Sequence, residues 1–180
     1  DLIEAAKKNP NKLSYGTAGT GVGAHFNSLI LSHVTRIKIK HVPYKGGGEY
    51  IPALLGGHLD FVIGTAIATL PQESAGKLRT LALMGGNKMK ELSSVPTTVE
   101  LGIKGNYLDS WAGAFVTAGT PKPVIDTLTA AAEKVIKSKE FVARIEKTGG
   151  VVQYIAPNDF RSMIERDKNT ALEIAKKEGL

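Results

Sequence analysis

Three glycines in alternation, Gly19, Gly21 and Gly23, are the residues of this chain whose type and spacing could hold a ligand. They lie in the stretch Tyr15-Gly16-Thr17-Ala18-Gly19-Thr20-Gly21-Val22-Gly23-Ala24-His25, between the apolar run Leu13-Ser14-Tyr15 and the helical pattern from Ala24 to Leu31. A backbone approaches a ligand closely where side chains are absent. The first amides of a helix lack intrahelical partners and carry partial positive charge. A strand, a glycine turn and a helix start therefore compose a seat for an anion. The same residues also suit a tight strand-to-helix turn with no ligand, and spacing alone leaves both readings open.

Two nucleotide motifs are excluded. Gly19, Gly21 and Gly23 give G-x-G-x-G, with Ala24 where a dinucleotide fingerprint has its third glycine. The acidic residue expected about twenty positions on is replaced by Lys38, Lys40 and His41. No Gly-Lys-Ser or Gly-Lys-Thr closes a phosphate loop. Reactive constellations are missing too. The histidines are His25, His33, His41 and His58, and none makes the H-x-x-x-H pair of a metal helix. A lone histidine on a helix is more often packed or exposed than catalytic. There is no cysteine and no G-x-S-x-G elbow. Asp60 reads as a hydrogen-bond acceptor at a strand end, without a second carboxylate to pair with. Lys45 reads equally as an anion contact or a solvated loop lysine, and Trp111 as core or cleft lining. These residues favour binding over catalysis, with no metal and no cofactor.

The elements that must position the glycine turn alternate between strand and helix. Helices are expected at Leu2–Lys8, from the glycine turn to about His33, at Glu49–Leu55, at Leu70–Ala75, from a Thr120 cap with Pro121 first in the helix, and from an Asn158 cap to the end. Gly46-Gly47-Gly48 reads as a flexible turn, and Ser138 restarts the long helix. Strands are expected at Leu13–Tyr15, Ile37–Val42, Leu59–Ile63, Arg79–Leu83, Ala112–Val116 and Val151–Ile155. Residues 85 to 110 read as connection, with a turn of helix at Thr98–Leu101. The alternation predicts an α/β sheet.

Composition sets the outer bounds. The chain has 180 residues, 42% of them hydrophobic, enough for one domain or two small ones. No apolar run is long enough to span a membrane as a helix. The 23 basic against 17 acidic residues leave a net charge of +6, but no block of five like charges forms. In Arg36-Ile37-Lys38-Ile39-Lys40 the alternation puts charges on one strand face and isoleucines on the other. Aromatics are only 6% and do not interleave with the basic residues, so nucleic acid is not expected as a partner. The first residue is Asp1, at the start of a helix and without methionine, which reads as a processed or truncated piece.

Several phrases follow one another in a familiar order: His41-Val42-Pro43-Tyr44-Lys45-Gly46-Gly47, Ala53-Leu54-Leu55-Gly56-Gly57-His58-Leu59-Asp60-Phe61, Ala75-Gly76-Lys77-Leu78-Arg79-Thr80-Leu81-Ala82, Val95-Pro96-Thr97-Thr98-Val99-Glu100-Leu101-Gly102, Trp111-Ala112-Gly113 and Ala118-Gly119-Thr120-Pro121. In nearly its whole length the chain resembles the Bug family, the extracytoplasmic solute receptors of tripartite tricarboxylate transporters. The resemblance implies a periplasmic-binding-protein fold of type II, with two α/β domains around a cleft. Residues 1–110 would form the second domain, and residues 111–180 would return to the first, whose N-terminal part is absent from this chain. It implies a small carboxylate ligand, membrane transporter subunits as partners, a periplasmic location reached with a signal peptide, no enzymatic activity, and a monomer at full length. By the same resemblance Thr17, Gly19, Thr20 and Gly21 match the cleft-facing loop, and Tyr44, Gly64 and Thr65 match its neighbours. Many members carry an aspartate after the strand corresponding to Phe61-Val62-Ile63. Here Gly64-Thr65-Ala66 stands instead, so a contact to a ligand amine through that aspartate is not expected. The effector domain of a transcription regulator shares the fold and is the competing reading; it would need a winged-helix module upstream.

Overall fold

A parallel sheet of three short strands organises the first half of the chain. In the computed structural model, which describes residues 1–178, β1 (Ser14–Thr17) lies between β2 (Lys40–Pro43) and β3 (Phe61–Val62). Tyr15 is in register with His41 on one side and Phe61 on the other. The helices are α1 (Leu2–Lys8), α2 (Gly23–Thr35), α3 (Gly47–Leu55), α4 (Ala66–Ser74), α5 (Lys122–Ile136), α6 (Lys139–Glu146) and α7 (Pro157–Glu178). The chain divides into two compact units, Asp1–Ser110 with the segment from Asn169 onward, and Trp111–Lys168.

The strand order dictates where the helices go. The step from β1 to β2 runs one way along the sheet, and the step from β2 to β3 runs back across β1. Right-handed crossovers then put α2 and α3 on opposite faces. Alternation along β1 agrees. Tyr15 reaches Ser28 of α2 through its hydroxyl, whereas Gly16 lies against Tyr50 of α3 and against Leu59. A Cβ on Gly16 would come within 2.6 Å of Leu59 Cδ1 and 3.3 Å of Tyr50 Cβ, so the packing of Leu59 and Tyr50 on this face leaves no room for a side chain there. Two apolar clusters result. Ala6, Leu31 and Ile37 are buried together, with Ile3, Leu13, Ile39, Met84, Ile103 and Tyr107 packed around them. Tyr50, Ile51 and Leu59 form the other, with Val42, Tyr44 and Leu78 among their neighbours. Asn27 links α2 to the end of this unit, exchanging two hydrogen bonds with the Leu108 backbone at 2.7 and 2.9 Å.

The unit Trp111–Lys168 is helical. Ser138 caps α6 as expected, its Oγ accepting from Phe141 N. Phe160 of α7 packs edge-on against Trp111 at 5.1 Å and lies 5.9 Å from Phe115, and Trp111 Nε1 donates to Asp167 at 3.2 Å.

Several expectations need correction. β1 continues two residues past Tyr15, because Thr17 O and Gly16 O accept from Tyr44 N and Ile63 N. Thr17 is therefore the last strand residue, not part of the turn. β2 starts only at Lys40; Ile37 and Ile39 keep their inward alternation, but as apolar contacts without a ladder. Gly47 and Gly48 belong to α3, and α4 starts at Ala66 rather than Leu70. Arg79–Leu83 contributes only an isolated bridge from Leu83 to Thr97. Ala112–Val116 and Val151–Ile155 are extended by composition but find no ladder partner among the described residues; a strand exists only through its neighbour's hydrogen bonds. Pro121, not Thr120, occupies the cap position of α5, and Thr120 Oγ1 donates instead to Thr117 O at 2.8 Å. α7 begins at Pro157, so Asn158 already lies inside it.

Candidate functional site

In a parallel sheet every strand ends on the same edge. The C-terminal ends of β1, β2 and β3 release three short loops, residues 18–22, 44–46 and 63–65, and each leads directly into a helix. The starts of α2, α3 and α4 therefore belong to one edge of the sheet. Their cap positions are Val22, Gly46 and Thr65, and none makes a side-chain capping bond. Uncapped first-turn amides leave donors unsatisfied by the chain and add their dipoles at one place. Some loop amides are already engaged: Lys45 N donates to Glu49 Oε2 at 3.0 Å, Gly21 N to His25 Nδ1 and Gly19 N to Thr17 Oγ1.

All seven residues singled out from the sequence lie on this edge: Thr17 at the end of β1, Gly19, Thr20 and Gly21 after it, Tyr44 after β2, and Gly64 and Thr65 after β3. They differ in what is left to them. Thr20, Gly21, Gly64 and Thr65 are exposed and Tyr44 is half-buried. Thr17 is completely buried, and its hydroxyl is engaged, donating to Gly19 O at 2.9 Å and meeting His41 Nε2 at 2.7 Å. Gly19 and Gly21 have φ of +139° and +78°, a region open to glycine and strained for other residues. A Cβ on Gly21 would meet nothing within 4 Å, so this glycine answers to backbone conformation and not to crowding. Gly64 is the reverse case. Its neighbour is the hydroxyl of buried Tyr50, and any side chain at Gly64 would collide with that ring.

A row of aromatic rings underlies the first loop on the α2 face. Phe61 and Tyr15 stack at 5.6 Å, Tyr15 and His41 at 5.0 Å, and His41 and His25 at 4.3 Å with 19° between their planes. His25 is buried and its Nδ1 accepts from Gly21 N at 3.2 Å. Burial holds both histidines below the ordinary imidazole range, and for His41 the neighbouring His25 adds to the effect. Sequence reasoning missed this contact. His25 and His41 meet only because α2 folds back over β2, and their spacing carries no periodic signal. Asp60 was legible: its carboxylate accepts from Ser14 N at 2.7 Å and Ser14 Oγ at 2.9 Å, tying the start of β1 to the start of β3 at the opposite edge. No cluster of metal-binding side chains occurs among the described residues. No helix among them is long and apolar enough to cross a membrane.

An edge of exposed loops and uncapped helix starts, with no nucleophile or acid–base pair beside it, is suited to holding an anionic ligand. Over 177 residues the chain is 30% identical to a UPF0065 protein from the tcbD-tcbE intergenic region of Pseudomonas sp. strain P51, an alignment covering 96% of this chain and 53% of that one. It is similar to the structure of Rpa4515 of R. palustris with adipate, with a TM-score of 0.87 and 26% identity over 99% of this chain and 60% of the other. The periplasmic binding protein BugD gives a TM-score of 0.80 at 27% identity, again covering 99% and 60%. The chain thus spans about half the length of the curated relatives it matches and 60% of these solved structures. Residues 1–180 match the tripartite tricarboxylate transporter family receptor along their entire length, and the chain belongs to that family of solute-binding receptors.

Proposed function

We propose that this protein is a periplasmic receptor that captures a small mono- or dicarboxylate without converting it and delivers it to the membrane subunits of a transporter. The observation that carries the reading is the meeting of three uncapped helix starts on one sheet edge. A carboxylate needs several donors and little positive charge if those donors are fixed. The amides of Thr20, Val22 and Gly23 on either side of Gly21 supply donors, with the Thr20 and Thr65 hydroxyls beside them. Tyr44 and Gly64 shape the flanks. Thr17 acts from below, bracing Gly19. That a relative of 26% identity holds adipate supports a short dicarboxylate as the ligand class. In this reading residues 1–110 contribute one wall of a cleft between two α/β domains. Residues 111–180 return to the other domain, and the length of the relatives beyond this chain supplies the remainder.

A thermal-shift screen of short mono- and dicarboxylates, adipate included, tests the proposal. A ligand at a hundred times its dissociation constant adds about 2.7 kcal/mol of stability, an easily read shift. Gly21→Val is expected to abolish that shift in a protein that remains folded, and Thr20→Ala to weaken binding several-fold, since one hydroxyl contact contributes about 0.5–1.5 kcal/mol. Stabilisation by sugars or amines and by none of the acids would overturn the assignment, and normal affinity in a folded Gly21→Val protein would move the site off this edge.

A further inference from the structure

The stacked histidines lie under the loop that the proposed function places against the ligand; His25 is bonded to it directly and His41 through Thr17. His25 Nδ1 accepts from Gly21 N. An imidazole nitrogen that accepts carries no proton, so neutral His25 has its proton on Nε2. His41 can be assigned in the same way. Thr17 Oγ1 spends its proton on Gly19 O at 2.9 Å, so towards His41 Nε2 at 2.7 Å it accepts. His41 Nε2 is then the donor. One ring thus fixes Gly21 directly, and the other fixes Gly19 through Thr17, whose Oγ1 also receives Gly19 N at 3.3 Å. Both glycines sit at positive φ and have no side chains to anchor them.

We propose that the His25–His41 pair is the positioning element of the 18–22 loop, holding Gly19 and Gly21 in their ligand-ready path, with the hold on Gly21 lasting only while His25 is uncharged. The idea rests on the binding reading above and names a regulation of that site. A proton added to His25 Nδ1 turns an acceptor into a donor facing the Gly21 N–H, and the bond is lost. It also places a cation 4.3 Å from a second imidazole in a buried setting. The other titratable groups on the packed elements do not offset that charge. Tyr15 of β1 lies on the far side of His41 and is bonded to Ser28. Lys40 is exposed on the other face of β2. Asp60, before β3, is tied to Ser14, and Glu49 of α3 to Lys45. Glu73 of α4 is tied to Thr80, and His33 lies two turns along α2. Burial accordingly keeps both imidazoles below the ordinary value of 6.5.

The test uses the full chain, with His25→Leu, which removes the acceptor, and His25→Asn, which restores an acceptor at the Nδ1 position without titrating. Two signals are followed from about pH 8 to about pH 5, the range in which histidine changes charge: the Gly21 amide resonance, and the affinity for adipate as probe. The Gly21 resonance is expected to follow imidazole titration in the natural protein and to stay still in His25→Asn. Adipate affinity is expected to fall about tenfold more on acidification in the natural protein than in His25→Asn, the size of one lost hydrogen bond. Protonation of adipate itself is common to both and cancels. His25→Leu is expected to bind weakly at every pH, with His25→Asn recovering affinity. A Gly21 resonance indifferent to imidazole titration, or identical pH profiles for the natural protein and His25→Asn, would overturn the proposal. If the resonance follows the titration but no acid binds any variant, the hold on the loop stands and the carboxylate reading fails.

Discussion

Both units of the chain carry amphipathic helices, more sharply patterned in the second, yet only the first satisfies its pattern from within. Every buried apolar side chain among the described residues lies between Ala6 and Val95. In α5 the helical spacing of Val124, Leu128 and Val135 is as regular as that of α2, but no residue of α5 or α6 is buried. Leu31 is 8% exposed and Leu128 is 48% exposed; Phe115 and Val151, in the two stretches without a ladder, reach 67% and 73%. An apolar stripe is a demand for a partner and does not by itself indicate where the partner is. In the first unit the sheet meets that demand.

The comparison should show most strongly in amide exchange. Opening free energy follows buried contact, so the amides of α5 and α6 in this chain are expected to exchange about a hundredfold faster, or more, than those of α2 and β1. Equal protection at all concentrations would mean that the second unit is stabilised by something other than burial. A matched pair of truncations sharpens the contrast. Leu31→Ala should cost about 2–4 kcal/mol in denaturant unfolding, through lost burial and a cavity. Leu128→Ala, at an exposed site, should stay within about 0.5 kcal/mol. Comparable losses would break the distinction.

Acid supplies the mildest probe. His25 and His41 have folded-state values depressed below 6.5, so below that value the unfolded chain binds more protons than the folded one. Their stabilising contribution is complete above pH 6.5 and declines as pH falls from there towards the folded values. The loss should register in the first unit, where both rings lie, and should vanish when both are replaced by non-titrating residues. An equal acid response in α5 and α6 would assign the effect to other groups.

The difference between the units also explains what the sequence disclosed. Local signals were legible. The α1 boundaries, the glycine turn, the Ser138 cap and the role of Asp60 follow from residue type and short-range spacing. Signals that depend on a distant partner were not. Ala112–Val116 and Val151–Ile155 have strand composition, but a ladder is a property of two segments. The extension of β1 to Thr17 depended on bonds from Tyr44 and Ile63, each more than twenty residues away. The stacking of His25 on His41 required a helix and a strand to be placed first, so four scattered histidines gave no hint of a pair. Among the candidate residues, position on one edge was legible, whereas the burial of the Thr17 hydroxyl was not, because a buried and an exposed threonine look alike in one dimension.

The tie between Asp60 and Ser14 at the far edge of the sheet bears on how such a protein can diversify. It clamps two strand beginnings together, so that duty does not fall on the side chains beyond the strand endings that carry no bond of their own. Exposed positions such as Thr20 and Thr65 can thus change one at a time, with the frame beneath them unaltered. A lineage carrying this clamp can revise what it recognises by small separate edits, without reinventing its scaffold.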